Sequence, residues 1–337
     1  MALKFGLALR NDFPPHLSPA AGVGELREQT RAARDAGIHS VWMLNHYLGN
    51  MPTLQPLPAL AALAEHAGDM FLGTNMFILP LRHPVSAAED FATLDQITNG
   101  HAIAGLGMGY RGNEFESFGI PMDERVARYE ESVELMRALW KTDEVTFEGT
   151  HFTVRGQRIG IPPVQAGGPP VWVGAGVHKA GARRAARLGD AWIVPPHAEP
   201  EKLRQILEFY RQEREALGRG SAQEVVVRRE LVLDLDRDRA RTVGIEARGR
   251  NTQMYSQFEA PDQTEAYRHL KGADQLADVA DKSYFFTDPE GAIDSLKELE
   301  ALGVTYVILR MQWFDLPQDR MLQTLELFRD RVLPSFS

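Results

Sequence analysis

The sequence predicts an α/β fold in which eight strand-helix units close into a (β/α)8 TIM barrel, as a single domain over residues 1–337. Strand-like and helix-like segments alternate along the chain, and eight of the strand-like segments each precede a helix. Alternating units imply a parallel sheet with right-handed crossovers, and eight of them fit a closed barrel. The length suits one domain, because such barrels often exceed about 250 residues. An open, doubly wound sheet stays possible, since periodicity excludes neither fewer strands nor a reversal of strand order.

The first four units come from the amino-terminal part of the chain. One helix ends at Gly37, and another begins at Pro84 and ends at Gly100, as helix-end preferences predict. A later helix carries one apolar stripe at three- and four-residue spacings, formed by Val126, Tyr129, Val133, Met136 and Trp140. The predicted strands are 4–10, 40–47, 70–80 and 101–110, and the predicted helices are 24–37, 58–68, 84–100 and 123–140.

The remaining units follow a predicted hairpin at 144–164. The predicted strands are 171–176, 190–196, 225–235 and 304–311, and the predicted helices are one directly after the first of these strands, 200–217, 289–302 and 318–332. Residues 236–288, rich in Arg, Asp and Gln, form a long irregular region that is either an inserted mobile lid or a surface helix with a loop.

Composition narrows the class of protein. The net charge is −9 and the basic residues are scattered, which disfavours nucleic acid and anionic lipid as partners. No apolar stretch approaches the roughly 18 residues that a membrane span needs. The amino terminus lacks the pattern of a secretory leader, and the chain has no cysteine for disulfides. We therefore expect a cytoplasmic protein that acts on a small molecule.

The turn after the fifth predicted strand has the features of a phosphate site. In a barrel the active site lies at the carboxyl ends of the strands, and here Gly174, Ala175 and Gly176 lead into a helix. Small residues let the backbone approach a ligand, and the start of a helix offers unpaired amides. Lys179, Arg183 and Arg184 would strengthen the positive field of this turn. The alternative is that the glycines serve only a steric need and the basic side chains are solvated.

A second glycine-rich strand end, GMGYRG at 107–112, satisfies the pattern of a dinucleotide-binding turn. Phe118, Gly119 and Pro121 cut the required helix short, so the pattern is weak as a dinucleotide signal. The two glycine-bearing strand ends are better explained as two sides of a single cofactor pocket. The sequence contains no HExxH, nucleophile elbow, Walker loop or cysteine, and no pair of histidines at metal-ligand spacing. These absences favour an organic cofactor that carries the chemistry, with no metal.

Residues 72–121 resemble the central region of the bacterial luciferase-like family of flavin-dependent monooxygenases and oxidoreductases. The resemblance rests on LPLRHPV, on the short segments ED and LDQ that follow it, and on NGHAIAGLGMG. It extends to RVARYEESVELMRALW, to GAGVHKAGARRAARLGDAW, and to VILRMQWFDLP with LELFRDRVLP near the end of the chain. This family implies a (β/α)8 barrel, usually dimeric, that holds reduced flavin at its carboxyl face.

The resemblance also implies site residues. The flavin phosphate would rest on the turn and helix start, and the ring would lie over a cis peptide bond between Asn75 and Met76. Tyr110 matches a phosphate-side position, and Arg125 and Arg128 compete for a basic family position. The residues expected to bind the cofactor are Asn75, Met76, Gly107, Tyr110, Gly174, Ala175, Gly176, Val177, His178 and Gly181.

Asn45 and His46 match a family position that carries His-His in luciferases and Asp-His in many deazaflavin-using relatives. A neutral amide can orient a flavin edge but cannot act as a base, so His46 is the candidate that titrates. The alternative is that His46 only satisfies a neighbouring carbonyl. Arg310 and Trp313 are candidates for the substrate entrance, although an arginine there is also an ordinary ion-pair partner. Trp42 and Met43 are expected in the core.

The implied activity is monooxygenation of a small organic substrate with O2 and reduced FMN, supplied by a separate reductase, in a homodimer. The first alternative is hydride transfer that depends on the deazaflavin F420, and Asn45 in place of Asp weighs mildly against it. A further alternative is a non-catalytic flavin-binding protein, or a barrel of another enzyme group with the same phosphate site.

Overall fold

Eight parallel strands close into a barrel in the computed structural model, which describes residues 2–48, 51–141, 144–222, 224–256, 273–313 and 315–336. The barrel strands are β1 (Lys4–Ala8), β2 (Ser40–Met43), β3 (Phe71–Thr74), β5 (Ala102–Gly107), β8 (Val171–Gly174), β9 (Ala191–Val194), β10 (Glu224–Leu233) and β12 (Tyr306–Arg310). Neighbouring strands in that order are hydrogen-bonded, and the last strand, β12, also pairs with β1, which closes the ring. The predicted (β/α)8 barrel is confirmed.

The other strands extend this barrel or lie outside it. Strand β4 (Phe77–Ile78) pairs with the end of β5, and β11 (Phe285–Thr287) pairs with the end of β10. Strands β6 (Val145–Glu148) and β7 (Thr153–Gln157) form the predicted antiparallel hairpin. The predicted strand 70–80 is thus two strands, β3 and β4, and the cis peptide bond Asn75–Met76 lies between them.

The helices follow the strands and surround the barrel. They are α1 (Pro19–Asp35), α2 (Pro56–Ala67), α3 (Pro84–Ile97), α4 (Gly112–Ser117), α5 (Arg125–Leu139), α6 (Lys179–Leu188), α7 (Pro200–Ala216), α8 (Arg237–Ser256), α9 (Ala273–Ser283), α10 (Pro289–Ala301) and α11 (Gln318–Leu327). Helix α1 begins five residues before its predicted start, because the Ser18 hydroxyl accepts the Ala21 amide and Pro19 suits the first position. Within the described residues, no helix is long and apolar enough to cross a bilayer.

Large aromatic side chains fill the barrel interior. Trp42 and Trp172 lie with their ring centroids 5.0 Å apart. Gly73 lines this space, and a Cβ atom there would lie 2.3 Å from the Trp42 ring. Trp42 and Met43 are fully buried, so their predicted place in the core is confirmed. Because the barrel centre is packed, a ligand of the barrel would bind above the ends of the strands and not among them.

The region 236–288 is not a long irregular segment in its described parts. It contains α8, α9 and β11, and residues 257–272 lie outside the described residues. An apolar cluster joins α8 and α9 to the barrel, and its members include Val232, Ala240, Ala247, Leu276, Phe286 and Trp313. The apolar residues of these helices are interspersed with many charged residues, so the sequence pattern does not indicate the helices. The movement of part of this region as a lid remains a prediction.

Candidate active site

A cavity of about 350 Å³ opens at the carboxyl ends of the barrel strands. The polar strand ends predicted from the sequence meet there, because parallel strands bring their carboxyl ends to one edge. The predicted residues that line it are Asn45, His46, Asn75, Met76, Gly107, Tyr110, Gly174, Ala175, Gly176 and Arg310. Val177, His178, Gly181 and Trp313 do not line this cavity.

One side of the cavity is a glycine wall, formed by Gly107 and Gly174 around Met76. A Cβ atom at Gly174 would lie 2.6 Å from Met76 Cγ, and one at Gly107 would lie 2.8 Å from Met76 Cβ. The steric interpretation of these two glycines therefore holds, since the Met76 side chain fills the space that theirs would occupy. The peptide bond before Met76 is cis, as the family resemblance implies.

Asn45 lines the cavity, is buried, and makes hydrogen bonds to the protein at both ends of its amide. Its Nδ2 donates to Gln55 Oε1 at 2.9 Å, and its Oδ1 accepts the Ile78 amide at 3.1 Å. These bonds connect the end of β2 to β4 and to the start of α2. Asn45 thus holds the cavity wall in place, and the structure gives it no titrating role.

His46 pairs with a buried carboxylate that the sequence analysis missed. Glu114, on α4, is fully buried, and its Oε1 lies 3.3 Å from His46 Nδ1. The same oxygen accepts the Tyr47 amide at 2.8 Å, which fixes the carboxylate. The Tyr110 ring lies edge-on to His46 with centroids 5.8 Å apart. The sequence offers one signal for Glu114, the Asn-Glu pair that follows the glycine-rich turn. Helix α4 is too short for its sequence to show a helical repeat of apolar residues.

Burial controls the protonation of His46. It lowers the pKa of the imidazole, the hydrogen bond that the ring donates to Glu114 raises it to a lesser extent, and the nearby Arg111 lowers it. The net direction is down, so the ring is neutral at neutral pH. A neutral imidazole held by a carboxylate is a group that can accept a proton from a bound molecule.

We expect NMR titration to give His46 a pKa below 6.5, and Glu114→Gln to lower that pKa further. The substitution removes the negative charge that favours the imidazolium, while burial continues to oppose it. Glu116→Gln, at an exposed position on the same helix, is the matched control and should leave the titration unchanged. A His46 pKa that rises in Glu114→Gln would contradict this pairing.

The predicted phosphate site, called the phosphate seat below, comprises the turn and helix start from Gly176 to Gly181. A side chain already binds one of its amide donors. His178 caps the helix, and its Nδ1 accepts the Gly181 amide at 3.0 Å. The His178 amide donates to the Gly176 carbonyl at 2.9 Å. The amides of Lys179 and Ala180, in the first turn, have no acceptor within their own helix. An anion at this corner would use those two amides or displace the imidazole from Gly181.

The arginines on α6 are paired with carboxylates of neighbouring helices. Arg183 lies 3.0 Å from Glu213, and Arg184 lies 3.0 Å from Glu130. The sequence offered two interpretations of these side chains, a contribution to the phosphate site or simple solvation, and neither included these ion pairs. They add little net positive charge at the seat.

Neither of the two arginines that compete for the basic family position lines the cavity. Arg125 donates to the Met122 carbonyl at 2.9 Å, and Arg128 pairs with Glu124 at 2.8 Å. Both bonds stabilise the start of α5, so the structure favours neither as a ligand of the cofactor.

Opposite the glycine wall lies an arginine cluster, formed by Arg228, Arg248 and Arg310. Arg228 lies within β10 and Arg310 is the last residue of β12, whereas Arg248 comes from α8, in the segment that the sequence predicts as irregular. Glu230 is fully buried beneath them, 3.0 Å from Arg228 and 3.8 Å from Arg248. The three guanidinium groups hold the pKa of Glu230 below its usual value despite its burial.

Trp313 is not at the substrate entrance, which corrects the expectation from the sequence. Its side chain is fully buried, its Nε1 donates to Glu230 Oε2 at 3.2 Å, and its ring packs edge-on against Phe286. The residue supports the carboxylate beneath the arginine cluster. Trp313 comes two residues after the predicted strand 304–311, and this position does not indicate that α8 and β11 cover the side chain.

His197 lines the cavity beside this cluster. Burial lowers its pKa to about 4, and the positive charges of Arg248 and Arg228 contribute in the same direction. The folded protein therefore resists protonation of His197, while the unfolded chain binds a proton near pH 6.5.

This difference makes the protein less stable as the pH falls from about 6.5 towards 4. At pH 5 we expect the wild type to lose about 2 kcal/mol of unfolding free energy through His197 alone. His197→Gln removes this contribution, so the loss between pH 7 and pH 5 in urea unfolding should shrink by that amount. His16→Gln, at an exposed position, should keep the wild-type difference. An unchanged difference in His197→Gln would refute the low pKa.

Comparison with known sequences gives matches along the whole barrel. A family model described as luciferase-like monooxygenase matches residues 3–306. The chain is similar to an F420-dependent glucose-6-phosphate dehydrogenase of Amycolatopsis mediterranei (strain U-32), with 27% identity over 330 residues. The aligned part covers 93% of this chain and 94% of that protein.

Solved structures with the same fold include two monooxygenases. Monooxygenase RslO1 from Streptomyces bottropensis has 25% identity and a TM-score of 0.88, and the match covers 99% of this chain and 100% of that one. The oxygenating constituent of 3,6-diketocamphane monooxygenase from Pseudomonas putida, in complex with FMN, has 18% identity and a TM-score of 0.81. That match covers 100% of this chain and 99% of the other, and at this identity it shows a shared fold.

Proposed function

Because the chain belongs to the luciferase-like monooxygenase family and is an oxidoreductase of that family, we propose that it oxygenates a small organic substrate with O2 and reduced FMN. The net reaction places one oxygen atom on the substrate and releases the other as water, with reduced FMN as the two-electron donor. A separate reductase would supply the reduced flavin, and the protein would act as a homodimer.

The cavity fits a flavin. Its volume lies within the roughly 300–1,000 Å³ usual for sites that bind organic cofactors. Asn75 and Met76, joined by the cis peptide bond, both line the cavity, and a flat ring would lie against them. The amides of Lys179 and Ala180 would hold the phosphate at the positive end of α6. Bound there, reduced flavin would supply the electrons that activate O2.

The chain's own residues would control protons and water around that ring. His46, kept neutral by burial and oriented by Glu114, would exchange a proton with the bound substrate through Nε2. Asn45 would keep β4 and the adjoining wall in position. The packed aromatic interior below the cavity excludes water from the lower face of the site.

The observation that carries FMN over F420 is the charge at the seat. F420 has a longer, acidic tail and would favour a strongly basic mouth beside the phosphate. Here Arg183 and Arg184 are paired with Glu213 and Glu130. The similarity to monooxygenase RslO1 over nearly the whole chain supports oxygenation rather than hydride transfer as the reaction.

F420-dependent hydride transfer is the second candidate, and the similarity to an F420-dependent dehydrogenase over 93% of this chain favours it. The His46 and Glu114 pair also suits this reaction. A neutral imidazole would accept the hydroxyl proton of an alcohol while the carbon gives up a hydride.

Anaerobic titration of the purified protein with reduced FMN and with reduced F420 tests the proposal. We expect tight binding of reduced FMN, weak binding of F420, and consumption of O2 when air is admitted with a substrate. Tight binding of F420 alone would establish the second candidate. Flavin binding without O2 consumption on any compound tested would instead support a non-catalytic flavin-binding protein.

A further inference from the structure

We propose that the arginine cluster is a binding subsite for an oxyanion, and that the substrate is a small organic molecule carrying a carboxylate or phosphate group. The proposal rests on the proposed function, in which the cofactor occupies the glycine wall. It adds the chemical class of the substrate and assigns Arg228 and Arg248 to its recognition together with Arg310.

Barrel topology separates the two walls of the cavity. In the closed order β12-β1-β2-β3-β5-β8-β9-β10, strand β10 stands four places from β3, and β12 stands four places from β5. Arg228 and Arg310 therefore lie across the barrel from Met76 and Gly107. A flat ring against the glycine wall would present its other face to the arginine cluster, so a substrate between them would meet the guanidinium groups.

The cavity lining is positively charged. Among the lining residues in the described part of the chain, the three arginines are accompanied by no carboxylate, and His46 and His197 are neutral. Glu230 lies behind the arginines and balances one charge. Asp12 lies 3.8 Å from Arg310, but it also interacts with Arg10.

Buried donors in the cluster are poorly satisfied by the protein. Arg310 is 7% exposed, and its Nη2 makes no hydrogen bond among the described residues. Its Nε donates to the Gln312 carbonyl at 3.0 Å, which holds the side chain in place. The Nε of Arg228 is also buried and without a hydrogen-bond partner in that part of the chain. Buried guanidinium donors are costly when unpaired, and an oxyanion would satisfy them.

Glu230 acts as a positioning residue for this cluster. It contacts Arg228 and Arg248 and accepts from Trp313 Nε1, so one fixed carboxylate orients side chains that come from a strand and from α8. Planar guanidinium groups held in this way match the paired oxygens of a carboxylate or phosphate. This positioning function explains why the Glu230 carboxylate is buried next to a cavity that is lined by positive charges.

Calorimetry with three aromatic probes tests the subsite. Benzoate and phenyl phosphate carry the oxyanion, and benzamide is a neutral molecule of similar shape. We expect at least one oxyanion to bind the wild type at least tenfold more tightly than benzamide, and the preferred one identifies the group. Arg310→Met and Arg228→Met should each weaken that binding at least tenfold, with Arg310→Lys intermediate. Urea unfolding checks that each variant is folded.

A variant at the phosphate seat separates this subsite from the cofactor site. Gly176→Asp should weaken the binding of reduced FMN much more than that of the oxyanion, and Arg310→Met should weaken the binding of the oxyanion much more than that of reduced FMN. Equal binding of benzamide and the oxyanions, no binding of any oxyanion, or no effect in folded arginine variants would overturn the subsite. Arginine-dependent oxyanion binding in a protein that fails to bind reduced FMN would refute the proposed function and leave the subsite standing.

Discussion

Gly105→Ala is expected to destabilise the protein by about 3 kcal/mol or more. A Cβ atom at this position would lie 1.7 Å from the backbone oxygen of Thr74, on the neighbouring strand. The two residues are also held together by a hydrogen bond of 2.7 Å from the Thr74 hydroxyl to the Gly105 carbonyl. Because the clashing atom belongs to the backbone of a paired strand, relief requires the β3 and β5 strands to separate. Urea unfolding measures the loss.

Gly24→Ala is the matched control, since it makes the same chemical change where space is open. Gly24 is exposed in α1, and a Cβ atom there meets nothing within 4 Å. We expect a gain of about 0.5–1 kcal/mol from the better helix propensity of alanine. Equal stabilities of the Gly105→Ala variant and the wild type would show that β3 and β5 do not approach as closely as described.

The alternation of short strands and helices predicted the barrel because each unit leaves its mark within a few residues. Pro84 begins α3, and Pro200 begins α7, as helix-end preferences predict. The Cβ direction in a strand repeats every two residues, and a strand buried on both sides is apolar along its length, as in β9 and, after Ser40, in β2. Such local signals suffice for element order, and the order in turn predicts where the strand ends meet.

The charged partners within the site could not be predicted in the same way. Glu114 and Arg248 lie on helices, and the packing of α4 and α8 against the barrel brings Glu114 to His46 and Arg248 to the cavity. Glu230 lies within β10, and its function beneath the cluster depends on side chains that other parts of the chain bring to it. Trp313 was assigned to the entrance for the same reason, since a sequence does not tell which strand end another helix covers.

The phosphate seat illustrates a finer limit. The helix start was predicted, and α6 begins at Lys179 as expected. The capping of Gly181 by the His178 ring was not, because an imidazole is an uncommon helix cap and the choice depends on its rotamer. The amides available to an anion are thus those of Lys179 and Ala180, because the amide of Gly181 is already bonded to the His178 ring.

Gly176→Asp is expected to weaken the binding of reduced FMN roughly a hundredfold, or about 3 kcal/mol. The new carboxylate would stand at the end of the turn, next to the amides proposed to hold the phosphate, and two negative groups a few ångström apart repel each other strongly. A side chain here meets only the His178 ring, at 3.0 Å, which can turn away. Anaerobic fluorescence titration measures the affinity, and thermal unfolding checks the fold.

Gly176→Asn separates charge from size, because its side chain has the shape of aspartate and no charge. If the seat holds a phosphate, the asparagine variant keeps most of the wild-type affinity and the aspartate variant loses it, with the difference shrinking at high salt. Equal losses in both variants would mean that the turn is closed to any side chain, and the seat would then be steric. Wild-type affinity in both would move the phosphate away from α6, and the charge argument for FMN over F420 would fall with it.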